Sequence, residues 1–165
     1  MQWEVSPGAG SVFRAGDGVV KIDSAPLMRM LELQQLEPHQ LEAGGILLGR
    51  RILNSPDVVI DEVTCPLPGD RRRPLSFYRG RARHQQVIDE RWKNSGGTCL
   101  YLGEWHTHPE PIPSPSLVDL GDWNRRLRED RFEGSSLFFI IVGTHGICVW
   151  EGRRDSREII ILCQR

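Results

Sequence analysis

Alternating and periodic apolar positions divide the chain into strands and helices that follow one another without a long linker. Runs rich in β-branched and aromatic residues are typical of strands, and they occur at 11–14, 19–22, 46–52, 58–63, 75–78, 99–105, 137–142, 147–150 and 158–163. Apolar residues three or four positions apart predict helices from 24 towards 36, at 82–92 and at 116–128. This order predicts an α/β sandwich, a mixed central sheet flanked by helices.

Individual residues predict where the helices begin and which side chains they bury. Ser24 is expected to cap the first helix, Trp92 to face inward from the second, and Leu117 to face inward from the third. Between the predicted strands at 58–63 and 75–78, the stretch 66–74 is expected to be irregular because it is rich in proline, glycine and arginine.

Composition narrows the class of protein. A length of 165 residues predicts one domain spanning 1–165, and 39% hydrophobic with 26% charged residues is typical of a soluble globular protein. The net charge of −1 gives no global attraction to nucleic acid or membrane. No apolar run is long enough to span a bilayer, and the N-terminus resembles no signal peptide. Four scattered cysteines favour a reduced cytoplasmic protein with buried thiols over a disulfide framework.

The stretch 104–122 concentrates the candidate chemistry. His106 and His108 lie two positions apart, so both face one side of an extended segment, and Ser116 and Asp119 lie one helical turn apart. Two imidazoles and one carboxylate form an open zinc site, in which the metal lowers the pKa of a bound water to about 7. A histidine pair alone also fits a core residue hydrogen-bonded to a carboxylate. Ser116 and Asp119 equally suit a helix cap and a helix dipole partner.

A second carboxylate is needed to move protons, and Glu42 is the candidate. It precedes two glycines and an apolar strand in Glu-Ala-Gly-Gly-Ile-Leu-Leu-Gly. The alternative is a surface glutamate at a junction between a helix and a strand. Four alternating prolines between 109 and 115 are expected to stiffen the loop between the ligands, rather than to serve as a polyproline ligand.

These residues together resemble the signature of the JAB/MPN/JAMM zinc metalloprotease family. Glu42, His-Thr-His at 106–108, seven residues, Ser116, two residues and Asp119 fill it position by position. Less specific matches at 76–79, 92–96 and 101–105 resemble a bacterial subgroup, the deconjugases of CBASS antiphage operons. The likeness covers about residues 20–150, which we take as the core of the domain.

The resemblance implies a single-domain JAB/MPN fold, which is cytidine-deaminase-like, and one Zn²⁺ per chain held by His106, His108 and Asp119. It implies Glu42 as general base and acid, and Ser116 as a hydrogen-bond donor to the oxyanion. The expected substrate is a protein with an extended C-terminal tail, either a cyclic-nucleotide synthase conjugate or a ubiquitin-like conjugate. The expected reaction is zinc-dependent hydrolysis of the peptide or isopeptide bond after that tail.

Three other functions compete with this one. The same enzyme chemistry would process the tail of a ubiquitin-like or sulfur-carrier precursor. A non-catalytic MPN scaffold usually lacks one or more ligands, whereas this chain has all of them. A zinc nucleobase deaminase needs a Pro-Cys-x-x-Cys ligand pair, which is absent.

Further residues are candidates for supporting roles. Glu104 shares a strand face with His106 and is expected to accept a hydrogen bond from a ligating imidazole, with Asp122 as competitor and a salt bridge as the alternative. Six arginines between 71 and 83 fit substrate contact, a solvated surface or a nucleic-acid patch, of which the last is disfavoured. The substrate tail is expected to add as a strand near four residues: Arg71, Arg72, Arg73 and Phe77.

Overall fold

The computed structural model of the protein describes residues 9–164. The strands in this range are β1 (Ser11–Ala15), β2 (Gly18–Ile22), β3 (Gly44–Arg51), β4 (Val58–Val63), β5 (Arg71–Arg73), β6 (Ser76–Tyr78), β7 (Leu100–Thr107), β8 (Ser136–Val142), β9 (Ile147–Arg153), β10 (Ile159–Ile161) and β11 (Cys163–Gln164). The helices are α1 (Ser24–Leu31), α2 (Arg81–Asn94) and α3 (Leu117–Glu129).

Nine strands form one mixed sheet in the order β10-β9-β8-β7-β3-β4-β2-β1-β11. The pairs β2–β4 and β7–β8 are parallel and the others are antiparallel. Only Leu162 separates β10 from β11, although these strands lie at opposite edges of the sheet. The sheet therefore curves until its two edges approach each other, and the predicted strand at 158–163 is wrong as one element.

Two apolar clusters cover the two faces of this sheet. The cluster with α1 contains Leu27, Leu102 and Trp105, and the cluster with α3 contains Trp123 and Phe139. Strand β8 lies inside the sheet, between β7 and β9, and is buried along its whole length, which explains the unbroken apolar run at 137–142. The predicted mixed sheet flanked by helices is confirmed.

Several local predictions are wrong. The residue that caps α1 is Asp23, not Ser24, and its side chain makes no capping hydrogen bond. Trp92 is 56% exposed and Leu117 is 88% exposed, because Trp92 lies in the last turn of α2 and Leu117 is the first residue of α3. The cysteines are free, but none is fully buried and Cys163 is exposed.

The stretch expected to be irregular contains β5, which pairs with β6 in a two-stranded hairpin. Asp70 closes the base of this hairpin by accepting hydrogen bonds from the backbone N–H of Leu67 and Gly80. The fully buried imidazole of His84 lies between Asp70 and the hydroxyl of Thr64, at 3.0 and 2.9 Å. Buried polar side chains rather than apolar alternation therefore fix this hairpin against the sheet.

None of the helices between residues 9 and 164 combines the length and the apolar character that crossing a bilayer requires.

Candidate active site

Three side chains of metal-ligand type converge where β7 ends and α3 begins. Ligand atoms of His106, His108 and Asp119 all lie within 4.8 Å of one another. The two histidine Nε2 atoms are 3.1 Å apart, and oxygens of Asp119 lie 3.3 Å from Nε2 of His106 and 3.4 Å from Nε2 of His108. Two imidazole nitrogens and one carboxylate are a common zinc donor set with an open fourth position, so these residues fit the ion.

The sheet fixes the two histidines through backbone pairing. His106 lies in β7, between Gly44 of β3 and Ile141 of β8, and the N–H of His108 donates to the carbonyl of Val142 at 2.9 Å. A Cβ atom on Gly44 would lie 2.5 Å from the Phe77 ring. Glycine at this position therefore lets the β5–β6 hairpin lie directly beside the histidines.

A capping box fixes Asp119. The hydroxyl of Ser116 accepts from the N–H of Asp119 at 3.1 Å, and a carboxylate oxygen of Asp119 accepts from the N–H of Ser116 at 2.6 Å. Ser116 is thus confirmed as the helix cap. The same carboxylate serves the cap and faces both histidines, so the start of α3 sets its position.

The charges of the cluster are mutually stabilised. Burial alone would raise the pKa of Asp119, but hydrogen bonds with His106 and His108 hold this pKa well below its usual range. Burial opposes the charged form of His108, and the hydrogen bond and charge of Asp119 outweigh it, so the pKa of His108 is raised. Asp119 is therefore ionised at neutral pH, as a metal ligand must be.

Glu42 lies just before β3 and is only 5% exposed. Burial raises its pKa to about 7, with a smaller opposing effect of His108 and a smaller reinforcing effect of Asp119. A carboxyl group whose pKa is close to the working pH is suited to both accepting and donating a proton.

Glu42, His108 and Asp119 line one cavity of about 370 Å³. Its walls include apolar side chains from the hairpin, from the loop after β7 and from α3. The lining residues are Glu42, Leu75, Ser76, Phe77, His108, Pro109, Glu110, Ser116, Val118, Asp119 and Asp122. The volume is ordinary for a ligand site, and the lining combines carboxyl, imidazole and hydroxyl groups with apolar side chains.

Residues 24–157 match the family described as prokaryotic homologs of the JAB domain. The chain belongs to this family. It is 34% identical over 149 residues to the CD-NTase/cGAS isopeptidase of Vibrio cholerae serotype O1, covering 90% of each chain. It is also 36% identical over 115 residues to a CD-NTase/cGAS isopeptidase of Pseudomonas aeruginosa, covering 70% of this chain and 71% of the relative. A probable metalloprotease of Sinorhizobium fredii is 33% identical over 85 residues, 49% of each chain.

Solved structures agree on the fold. A protein of Desulfitobacterium hafniense superposes with a TM-score of 0.57 at 22% identity, covering 88% of this chain and 89% of that one. A protein of Salinibacter ruber superposes with a TM-score of 0.50 at 19% identity, covering 85% and 86%. The JAB/MPN fold expected from the sequence is confirmed.

The prediction that Glu104 accepts a hydrogen bond from a ligating histidine is wrong for this JAB domain. Its carboxylate accepts from Nε of Arg79 at 2.8 Å and lies 3.1 Å from Nε of Arg126, because both guanidinium groups reach the same strand face. The competing candidate, Asp122, pairs with Arg125 at 2.8 Å. The salt-bridge alternative is therefore the correct one for Glu104, which links β7 to α3 and to the end of β6.

The three arginines of β5 have different environments. The guanidinium of Arg72 donates to the carbonyls of Glu42 at 2.7 Å and Leu41 at 3.2 Å, so it holds the loop that carries the acid. Arg71 lies over the ring of Tyr78 at 4.8 Å. The side chain of Arg73 is exposed, and its carbonyl accepts from the N–H of Glu42 at 2.9 Å. A substrate role thus stays a prediction for Arg71, Arg73 and Phe77. The Arg72 side chain is instead hydrogen-bonded to backbone carbonyls.

Sequence reasoning missed two groups of residues near the site. Arg79 and Arg126 form the ion pairs of Glu104, and Gln35 is fully buried against Thr107. The spacing of Arg126, seven residues after Asp119 on the same helix face, was an available signal. No sequence pattern distinguishes Gln35 from its neighbours Gln34, which is half-buried, and Gln40, which is exposed.

Proposed function

We propose that this JAB domain is a zinc-dependent isopeptidase that hydrolyses the bond joining the C-terminal tail of one protein to another protein. The observation that carries the proposal is the cavity that the buried carboxyl of Glu42 shares with His108 and Asp119, two of the three convergent ligand side chains. Isopeptidase and metalloprotease names among the relatives support the same class of reaction.

A zinc ion held by His106, His108 and Asp119 would supply a Lewis acid that activates water and polarises the scissile carbonyl. The chain itself supplies the proton carrier. Burial raises the pKa of Glu42 to about 7 in the metal-free chain, and a bound cation would favour its ionised form. The carboxylate can then accept a proton from the attacking water and deliver it to the leaving amine nitrogen.

Ser116 supplies a hydrogen-bond donor for the oxyanion. Its hydroxyl donates to Asp119 at 2.7 Å while accepting from the N–H of the same residue. The side chain is exposed to the cavity, so the hydroxyl can turn towards a substrate oxygen without disturbing the sheet. A single oxyanion donor contributes on the order of 3 kcal/mol to transition-state binding.

The substrate we propose is a cyclic-nucleotide synthase linked through its C-terminal tail, by analogy with the names of the relatives. An extended tail pairs with backbone at a free strand edge, and within residues 9–164 the only strand paired with β6 is β5. Phe77 in β6 lines the cavity, which brings such a tail to the carboxyl of Glu42.

A synthase fused at its C-terminus to a reporter protein tests this proposal. The zinc-loaded chain should cut the fusion once, after the last residue of the synthase, as mapped by mass spectrometry. A ubiquitin-like precursor fused to the same reporter is the matched substrate control. Cleavage of the precursor with the synthase fusion left intact would refute the substrate class, and no cleavage of either would refute the peptidase function.

A further inference from the structure

A buried polar network lies behind the candidate site, on the side of β7 that faces away from Asp119. It is centred on Gln35, which is 1% exposed, and Thr107, which is fully buried. Gln35 follows α1, and Thr107 is the last residue of β7, between His106 and His108. Because buried polar side chains persist where their hydrogen bonds are satisfied, their partners indicate what they hold in place.

Thr107 ties β7 to the residue after Glu42. Its backbone N–H donates to the carbonyl of Ala43 at 2.9 Å, and its hydroxyl accepts from the N–H of Ala43 at 3.0 Å. Both histidines adjoin Thr107 in the chain, and Glu42 adjoins Ala43. The hydrogen bonds between Thr107 and Ala43 therefore set the distance between the Glu42 acid and the two histidines.

Gln35 extends this connection to two further segments. Its amide oxygen accepts from the hydroxyl of Thr107 at 2.9 Å, and its amide nitrogen donates to the carbonyls of Gln40 at 3.0 Å and Pro74 at 2.8 Å. One side chain thus joins β7, the loop before Glu42 and the turn of the β5–β6 hairpin. We call Gln35, Thr107 and these backbone partners the Gln35 relay.

The direction of each hydrogen bond in the relay is fixed by chemistry. Carbonyl oxygens only accept, so the nitrogen of Gln35 must face Gln40 and Pro74 and its oxygen must face Thr107. The single hydroxyl proton of Thr107 goes to Gln35, because the N–H of Ala43 is already a donor to that oxygen. A carboxylate at position 35 would bring oxygen against two carbonyls, and valine at position 107 would keep the volume without any polar atom.

We propose that Gln35 and Thr107 are positioning residues that fix the carboxyl of Glu42 relative to the ligand cluster. This inference rests on the proposed isopeptidase function. Neither residue lines the cavity, so replacing Thr107 changes the geometry of the reacting groups without removing a side chain that contacts substrate. A displacement of about 1 Å in a reacting group lowers a rate on the order of 100-fold.

The test compares Thr107→Val with Thr107→Ser in the full chain. Thr107→Val should retain one zinc per chain and the KM of the reporter fusion, while kcat falls roughly 10- to 100-fold. Thr107→Ser keeps the hydroxyl and should restore kcat to within about threefold. Val20→Ala, in a fully buried position of β2, is the control for lowered stability alone and should leave kcat unchanged. Equal kcat values for the valine and serine variants would overturn the proposal.

Hydrogen exchange at the Ala43 amide tests the relay without any activity measurement. This amide should exchange slowly in the wild-type chain and in Thr107→Ser, and at least about 10-fold faster in Thr107→Val and Gln35→Glu, because each change opens the local structure. If Thr107→Val fails to fold, Gln35→Glu gives the same comparison. Unchanged Ala43 exchange overturns the relay, whereas an inactive wild-type chain with the expected exchange pattern overturns only the isopeptidase function.

Discussion

Replacing Glu42 by glutamine should remove activity and at the same time stabilise the metal-free fold. Burial raises the pKa of this carboxyl from its ordinary value of 4.5 to about 7. Between these two values the folded state binds more protons than the unfolded state, so the wild-type chain loses stability as the pH rises from about 4.5 to about 7. Glutamine does not ionise, and the variant avoids this loss.

The expected gain in stability follows from the shift in the pKa of Glu42. Each tenfold change in a proton-binding constant is worth about 1.4 kcal/mol, which gives an upper limit of about 3 kcal/mol for Glu42. The carboxyl lines a cavity open to solvent, and solvent screening reduces the expected gain to about 1–2 kcal/mol at pH 8. Because a bound cation would favour the ionised carboxylate, the comparison is made after metal removal.

Urea unfolding of the two metal-free proteins at pH 5 and pH 8 measures the effect. The free energy of unfolding of the variant should exceed that of the wild type by about 1–2 kcal/mol at pH 8. At pH 5 the difference should be much smaller. The zinc-loaded variant should keep one zinc and cleave the reporter fusion at least about 100-fold more slowly. Glu37→Gln, at an exposed glutamate, is the matched control and should change neither property. Equal stability of wild type and Glu42→Gln at pH 8 would refute the reasoning about burial.

Three further predictions address the ligands, the cap and the hairpin. His106→Ala should lose both zinc and activity, and full zinc occupancy by elemental analysis would reject its assignment as a ligand. Ser116→Ala should lower the free energy of unfolding by about 1 kcal/mol through the lost cap and slow cleavage on the order of 100-fold through the lost oxyanion donor; unchanged kcat would leave only the capping role. The double replacement of Arg71 and Arg73 by alanine should raise KM, keep zinc and weaken the salt dependence of cleavage; an unchanged KM and salt response would mean that both arginines are solvated surface.

Predictions from the sequence were correct where the pattern of residues within one element matches the burial of that element. The apolar run at 137–142 forms β8, an interior strand of the sheet that is buried on both faces. Alternation along β7 correctly placed Glu104 and His106 on the face towards α3, with Trp105 on the opposite face. The spacing of Ser116 and Asp119 predicted the helix cap at Ser116, and the structure adds the reciprocal hydrogen bond of a capping box.

Contacts between segments that are distant in the sequence could not be predicted from local patterns. Three consecutive arginines carry no strand pattern, yet β5 forms by pairing with β6, and Arg72 binds the carbonyls of residues 41 and 42. The carboxylate of Glu104 pairs with Arg79, 25 positions away, so face alternation alone could not identify its partner. Gln35 reaches Thr107 across 72 positions, and the raised pKa of Glu42 depends on burial that only the folded chain provides.

Titration of zinc into the metal-free chain, followed by the cleavage rate of the reporter fusion, tests the central claim most directly. The rate should be negligible without metal and should rise until one zinc is bound per chain. Glu42→Gln should bind the same single zinc and stay at least about 100-fold slower at saturation. A cleavage rate that is unaffected by metal removal, or a Glu42→Gln rate equal to that of the wild type at saturating zinc, would contradict the account.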